Sequence, residues 1–375
     1  PDLLHGDALT ITAPMLPAWL TLTDHGGGTA TLSGTPTNAE VGDHAIVLQV
    51  IDSGGLTDTQ SFTITVANIN DAPFFTSAPV LTAMQDAPYT YAVAATDPDL
   101  IHGDALTITA PTFPAWLSLV DHGNGTATLS GTPANAEVGN HAIVLQVADS
   151  GGLTDTQSFT ITVANINDAP FFTSAPVLTA TQDAPYSYAV TAGDLDLIHG
   201  DILTITAPVL PAWLTLTDHG DGTAALSGTP ANAEVGNHAI VLQVTDSGGL
   251  TDTQSFNITV ANINDAPFFT SAPVLTATQD APYTYAVAAG DLDLIHGDML
   301  TITAPTFPAW LSLVDHGNGT ATLSGTPGAA DIGQYSVVLR VTDRSGAAVE
   351  QEFVITVLRK PVLTIYLPSV LRRMQ

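Results

Sequence analysis

The sequence predicts an all-β chain of tandem antiparallel β-sandwiches arranged as a linear rod. Two observations carry that prediction. The chain repeats itself: Trp19, Trp116, Trp213 and Trp310 stand 97 residues apart, and so do His5, His102, His199 and His296. Such a period is too long for a solenoid unit and suits a domain that buries its own core. Within each period, short runs dominated by Val, Ile and Thr alternate or cluster in strand fashion and stop at Gly, Pro, Asn or Asp. Those residue types favour a pleated, half-buried surface over a helix. The boundaries fall at 72–168, 169–265 and 266–358, with an incomplete copy at 1–71 and a tail at 359–375.

In the copy that begins at Ala72 the expected strands are, in order, "PVLTA", "YTYAVAA", "ALTITA", "AWLSLV", "TATLSG", "HAIVLQVA" and "SFTITVAN". Seven short strands separated by frequent turn signals predict a sandwich. Trp116 is expected to fill the centre between the sheets. If each strand reverses the chain, the first delivers Gln85 and Asp86 to the trailing end and the second brings Asp97 and Asp99 to the leading end. Continuing the alternation puts Asp121, His122 and Asp149 at the leading end, and Glu137, His141 and the exit Asn165–Asp168 at the trailing end. An odd strand count sends entry and exit to opposite ends, so successive copies stack.

Charge bounds the partners. All six basic residues lie between Arg340 and Arg373, against 36 Asp and Glu, for a net charge of −30. With no Lys or Arg in residues 1–339, phosphate neutralisation and therefore nucleic-acid binding are excluded there. Cysteine is absent, which removes disulfides and thiolate metal sites, and no stretch approaches the about 20 apolar residues of a membrane span. An apolar content of 45% in strand-like runs argues against disorder.

The carboxylates and amides gather where one copy meets the next. At the first junction the candidates are Asn68, Asn70, Asp71, Asp97, Asp99 and Asp149. At the second they are Asp86, Glu137, Asn165, Asn167, Asp168, Asp194, Asp196 and Asp246. At the third they are Asp183, Glu234, Asn262, Asn264, Asp265, Asp291, Asp293 and Asp343. Hard oxygen ligands on flexible loops, about six to eight per ion, are what Ca²⁺ requires, whereas Mg²⁺ prefers fewer carboxylates and retained waters. The competing reading is that Asp and Asn merely form turns. Where the last copy has no successor, "VLRKP" replaces the "NINDAP" linker, as a junction role requires.

"DLDLIHGD" at Asp194–Asp201, "PAWLTL", "LSGTP", "VTDSGG" and "NINDAP" in this order and period resemble the dystroglycan-type cadherin-like and putative Ig repeats of exported bacterial proteins, over nearly the whole chain to residue 357. The resemblance to cadherin modules implies calcium held between domains by a linker, a following Asp-x-Asp and a later Asp. Asn165, Asn167 and Asp168 match the linker, Asp194 and Asp196 the pair, and Asp246 the later residue. The linker departs from that pattern by opening with Asn and lacking its final Asn, and Glu137 is the candidate substitute for the missing upstream glutamate. One or two ions per junction follow.

Other chemistry is poorly supported. "DHG" and "SGTP" offer Asp121, His122 and Ser130, but strand counting separates the serine from the other two and supplies no oxyanion hole. His102, His122 and His141 fall at different ends, which disfavours zinc and makes them solvated loop residues. A glycan-binding surface lacks an aromatic platform. Pro1 aligns with Pro98, so the first copy lacks the counterpart of its first two strands, while "PVLT" at 361–364 repeats the first-strand motif. Either the sequence begins inside a longer protein, or residues 361–371 complete the first copy of another subunit and build a head-to-tail fibre. The whole reads as a non-enzymatic, extracellular or cell-surface protein, a calcium-stiffened stalk or filament subunit for surface structure or adhesion. The alternative is a secreted glycan-binding array or an accessory region of a large exported enzyme.

Overall fold

The computed structural model describes residues 8–361. The chain divides into two compact units between Asn167 and Asp168, each carrying two copies of the repeat. Among the described residues the regular elements are strands and short 3-10 turns. The repeat at 72–168 contains strands Phe74–Phe75, Thr82–Met84, Tyr89–Thr96, Thr107–Thr112, Leu117–Asp121, Thr126–Gly131, Gly139–Ala148 and Thr154–Ala164. One sheet runs in the order of the strands that begin at Leu117, Thr126, Tyr89 and Phe74, and the other in the order Thr82, Thr154, Gly139 and Thr107. The same two four-stranded sheets recur in the third and fourth repeats.

Period-two alternation builds the core between the sheets. Tyr89, Tyr91 and Val93 point inward with Ala127 and Leu129 from one sheet, and meet Ile143, Leu145, Val147, Ile161 and Val163 from the other. Leu129, Leu145, Val147 and Ile161 have no exposed surface at all, and each such side chain contributes about 1.5–3 kcal/mol by leaving water. The outward positions on the longest strand are Thr154, Thr156, Ser158, Thr160 and Thr162, all exposed.

Three expectations are corrected. The opening strand is split: Phe74–Phe75 pairs antiparallel with the Tyr89 strand, then the chain crosses over and Thr82–Met84 pairs parallel with the Thr154 strand. The expected "PVLTA" strand thus shrinks to its last residues, and one pairing in the sandwich is parallel. A buried polar network fixes the crossover at Ser77. The Tyr91 hydroxyl lies 2.7 Å from Ser77 Oγ and donates to Gln157 Oε1 at 2.8 Å, and Gln157 Nε2 donates to the Ser77 carbonyl at 2.8 Å. One side chain from each sheet therefore holds the crossing segment. Second, Trp116 does not fill the centre. It is half-buried beside Tyr89 and His141, with edge-on ring contacts at 5.8 Å. Third, His141 is not a solvated loop residue but lies in a strand, half-buried against that tryptophan, with Nε2 donating to the Glu137 carbonyl at 2.6 Å.

The first repeat shows strands Thr10–Met15, Leu20–Gly26, Thr29–Gly34, Gly42–Ile51 and Thr57–Val66, in a three-stranded and a two-stranded sheet. Its inward residues Leu48, Val50, Ile64 and Val66 are only half-buried. The candidate donor strand, apart from Pro361, lies outside the described residues.

Candidate metal centre

Four aspartates meet at the leading end of the second repeat, and the local sequence explains why. After the Tyr89 strand, Asp97 caps a 3-10 turn, Pro98–His102, its Oδ1 accepting from the Asp99 N–H at 2.7 Å. Gly103 then takes φ 98°, a left-handed conformation that costs glycine little, and turns Asp104 back toward Asp97. Asp149 arrives from the hairpin after the Gly139 strand, where its Oδ1 accepts from the Leu153 N–H at 2.8 Å. One carboxylate oxygen from each of Asp97, Asp104 and Asp149 lies within 4.8 Å of the others. Oxygens gathered that closely could be bridged by one cation with little adjustment, Ca²⁺–oxygen bonds running about 2.3–2.6 Å.

These groups are buried: Asp97, Asp99 and Asp149 are 4%, 1% and 8% exposed. Burial pushes the Asp97 carboxyl above its ordinary range, helped by the charges of Asp104, Asp99 and Asp149 and opposed by the Asp99 N–H. Burial also pushes Asp149 up, but the Asn70 amide and the N–H groups of Leu153, Gly152 and Gly151 outweigh it and hold Asp149 below that range. Three buried oxygens, Asp97 Oδ2, Asp99 Oδ1 and Asp104 Oδ2, have no hydrogen-bond partner among the described residues. Buried acceptors of this kind are rare and costly, and the nearest basic residue in sequence is Arg340.

The linker docks onto the same carboxylates. Asn70 Nδ2 donates to Asp149 Oδ2 at 2.9 Å and the Asp71 N–H donates to Asp99 Oδ2 at 2.6 Å. The fourth repeat copies the arrangement with Asn264 on Asp343 at 2.8 Å and Asp265 on Asp293 at 2.6 Å. Its cluster is Asp291, Asp298 and Asp343, and the third repeat carries Asp194, Asp201 and Asp246. In the third repeat the Asp168 N–H donates to Asp196 Oδ2 at 2.6 Å. Asp194 Oδ2, Asp196 Oδ1, Asp201 Oδ2, Asp291 Oδ2, Asp293 Oδ1 and Asp298 Oδ2 repeat the orphaned pattern. Burial raises Asp194 and Asp291 as it raises Asp97.

The other candidates take different places. Asp86 and Asp183 adopt φ 56° and 58° in exposed turns, and the Asp86 N–H donates to the Pro133 carbonyl at 2.8 Å. Glu137 and Glu234 fold back on their own 3-10 turns, each Oε2 accepting at 3.0 Å from the N–H of Ala134 or Ala231. Asn68 lines a cavity with Thr37, Asn38 and Asp71. Asn262 lines one with Asn264, Asp293, Asp298 and Arg344. Asn165 and Asn167 close the first unit, where the intervening Ile166 N–H donates to the buried Gln85 Oε1 at 3.2 Å. Asp104, Asp201 and Asp298 were not anticipated. Their signal was the final Asp of the "HGD" motif, present at the same 97-residue spacing.

The catalytic and zinc constellations do not assemble. Asp121 spends one oxygen on the Ile108 N–H at 3.2 Å and the other on the Gly123 N–H at 3.1 Å. His122 Nε2 instead faces Thr128 Oγ1 at 3.1 Å.

Split opening strand, two four-stranded sheets and an aspartate-rich leading loop define a tandem Ig-like, cadherin-like β-sandwich protein. The family model described as Putative Ig domain matches residues 1–67, 72–164, 169–261 and 266–358. The chain belongs to that family. No curated protein matches it. Among solved structures, Protocadherin Gamma B2 extracellular cadherin domains 1-5 is 17% identical, with 95% of this chain and 72% of that chain covered and a TM-score of 0.52. That likeness is one of fold. The Protocadherin GammaB4 extracellular domain is 22% identical over 94% of this chain and 61% of that one, with a TM-score of 0.46. Endo-fucoidan hydrolase MfFcnA4 from glycoside hydrolase family 107 is 28% identical over 78% of this chain, with a TM-score of 0.27. The chain spans 45% of the length of that hydrolase. Among the described residues no helix is long and apolar enough to cross a membrane.

Proposed function

We propose that each aspartate cluster holds a calcium ion and that the chain serves outside the cell as a stalk or filament subunit whose joints the ion stiffens. The observation that carries this reading is the set of orphaned buried oxygens, Asp97 Oδ2, Asp99 Oδ1 and Asp104 Oδ2, repeated in the next two copies. In the second repeat Asp97, Asp104 and Asp149 would hold the ion, with Asp99 bordering it and the remaining oxygens coming from the linker or water. A bound divalent cation supplies the positive charge that the sequence lacks and inverts the local pKa logic. Since Asn70 and Asp71 hang on Asp149 and Asp99, an ion that orders the cluster also orders the linker. The stalk reading rests on repetition: three nearly identical centres at the leading ends of repeats serve an array better than a single reaction.

Isothermal titration of the full chain with calcium tests the sites. Heat of binding that magnesium fails to reproduce at equal concentration, and that the triple variant Asp104→Asn, Asp201→Asn, Asp298→Asn loses, supports them. No heat with either cation contradicts them. Binding to a polysaccharide panel, unaffected by chelator, would favour the glycan-binding alternative.

A further inference from the structure

We infer that the histidine of the aspartate-rich loop is a positioning residue that transmits ion occupancy to the preceding repeat, an inference that rests on the calcium reading above. The loop from Asp97 to Asp104 supplies three of the four carboxylates. His102 stands in the sequence between Asp99 and Asp104, and its Nε2 donates to the Asn38 carbonyl of the first repeat at 2.7 Å. The second unit repeats this contact: His296 Nε2 donates to the Asn232 carbonyl at 2.8 Å, and Asn232 Nδ2 donates back to the Leu292 carbonyl at 2.6 Å.

The receiving turn is braced on both sides. Asn38–Glu40 is a 3-10 turn in which Glu40 Oε2 accepts from the Thr37 N–H at 2.8 Å and from the Thr37 hydroxyl. His44 Nε2 donates to the Glu40 carbonyl, and its ring packs edge-on against Trp19 at 5.7 Å. The turn Asn232–Glu234 is braced in the same way, by Glu234 on the Ala231 N–H and by His238 on the Glu234 carbonyl and on Trp213. A contiguous path of hydrogen bonds and ring contacts therefore runs from the carboxylate loop of one repeat to the tryptophan of the repeat before it, in each unit. The linker is one arm of the joint and the histidine is the other. This gives the Asn-Ala-Glu turn a task in the joint, as the seat of the histidine, while its glutamate braces the turn.

The chain has no cysteine, so the paired substitutions Thr21→Cys and Ser118→Cys place spin labels on exposed strand positions of the first and second repeats. Pulsed dipolar distances on the labelled full chain, with calcium and with chelator, are compared for the native histidine, His102→Ala and His102→Gln. Calorimetry runs on the same samples. The expected result is a distance distribution that calcium narrows in the parent. His102→Ala should still bind calcium within about twofold but keep about five times more open joint, the factor that one hydrogen bond carries. His102→Gln, whose amide still donates, should restore the narrow distribution. Narrowing in His102→Ala equal to the parent overturns the inference, as does loss of calcium binding that Gln does not restore. Absence of calcium binding in the parent instead removes the calcium reading, and the latch with it.

Discussion

At the scale of single residues, Asp97, Asp194 and Asp291 have been folded into places where burial and neighbouring carboxylates penalise their charge. Asp104→Asn should therefore have opposite effects in two conditions. With chelator the variant should melt higher than the parent, because neutralising the half-buried Asp104 removes a like charge that bears on the buried Asp97. In calcium it should lose affinity at that site by at least about tenfold, since losing a ligand costs no less than losing its outer-shell support. Scanning calorimetry in both buffers reads the crossing of sign. The last cluster differs from the other two. Where Ser150 and Ser247 donate their hydroxyls to Asp104 and Asp201, the fourth repeat uses the Arg344 N–H on Asp298 at 3.0 Å, and Arg344 is among the residues lining the same cavity as Asp293 and Asp298. A nearby positive charge should weaken that site by about two- to fivefold, as expected of an exposed, solvent-screened charge, and Arg344→Ser should bring it level with its neighbours in a calcium titration. Away from the clusters, burial, with the neighbouring Tyr91, Tyr188 or Tyr285 adding to it, pushes Tyr89, Tyr186 and Tyr283 up to about 12. Their folded forms hold the phenol proton more tightly than the unfolded chain, so this stabilisation is complete below the ordinary tyrosine pKa of about 10. It is lost as pH climbs through 12. Phenolate absorbance and ellipticity, followed together between those limits, should move together; full ionisation of these tyrosines near pH 10 with the fold intact would contradict the burial.

At the scale of elements, the long strands could be read directly, because alternation over ten residues, as in Thr154–Ala164, has one physical cause. The two-residue strand Phe74–Phe75 could not, since two adjacent phenylalanines carry no period. The parallel pairing of Thr82–Met84 was also hidden: direction and partner are set by the crossover at Ser77, held by Tyr91 and Gln157 from distant parts of the chain. Hydrophobicity said that Trp116 would be covered but not which end of the sandwich would cover it. Asp97, Asp99 and Asp149 were legible as leading-end residues by counting strands, whereas Asp104 needed the left-handed Gly103 to bring it back. Close packing makes one glycine of each repeat irreplaceable: Gly34, Gly131, Gly228 and Gly325. A Cβ on Gly131 would stand 2.0 Å from the Trp116 carbonyl oxygen, and that atom belongs to the paired strand's entry and cannot move aside. Gly131→Ala should cost about 3 kcal/mol, the upper range for an overpacked site, seen as a lower denaturant midpoint for one repeat's share of the unfolding signal.

At the scale of the whole chain, most acidic groups of the second repeat sit at turns and strand ends, Asp155 near the start of its strand being the exception, while the exposed faces of its long strands carry mainly threonine, serine, alanine and asparagine. Of the 36 carboxylates behind the net charge of −30, the nine whose oxygens gather in the three clusters are the ones held close together, and no Lys or Arg precedes Arg340 to offset the first two clusters. Like charge concentrated in such clusters calls for a positive partner, which makes cation binding their deciding property. The most direct measurement is thermal unfolding of the full chain at matched ionic strength, once with excess calcium and once with chelator. The account predicts a higher midpoint in calcium, by about 2.7 kcal/mol of added stability per site at a hundred times the dissociation constant, with magnesium giving less. Superimposable curves in calcium, magnesium and chelator would contradict it and leave the aspartates as turn and cap residues.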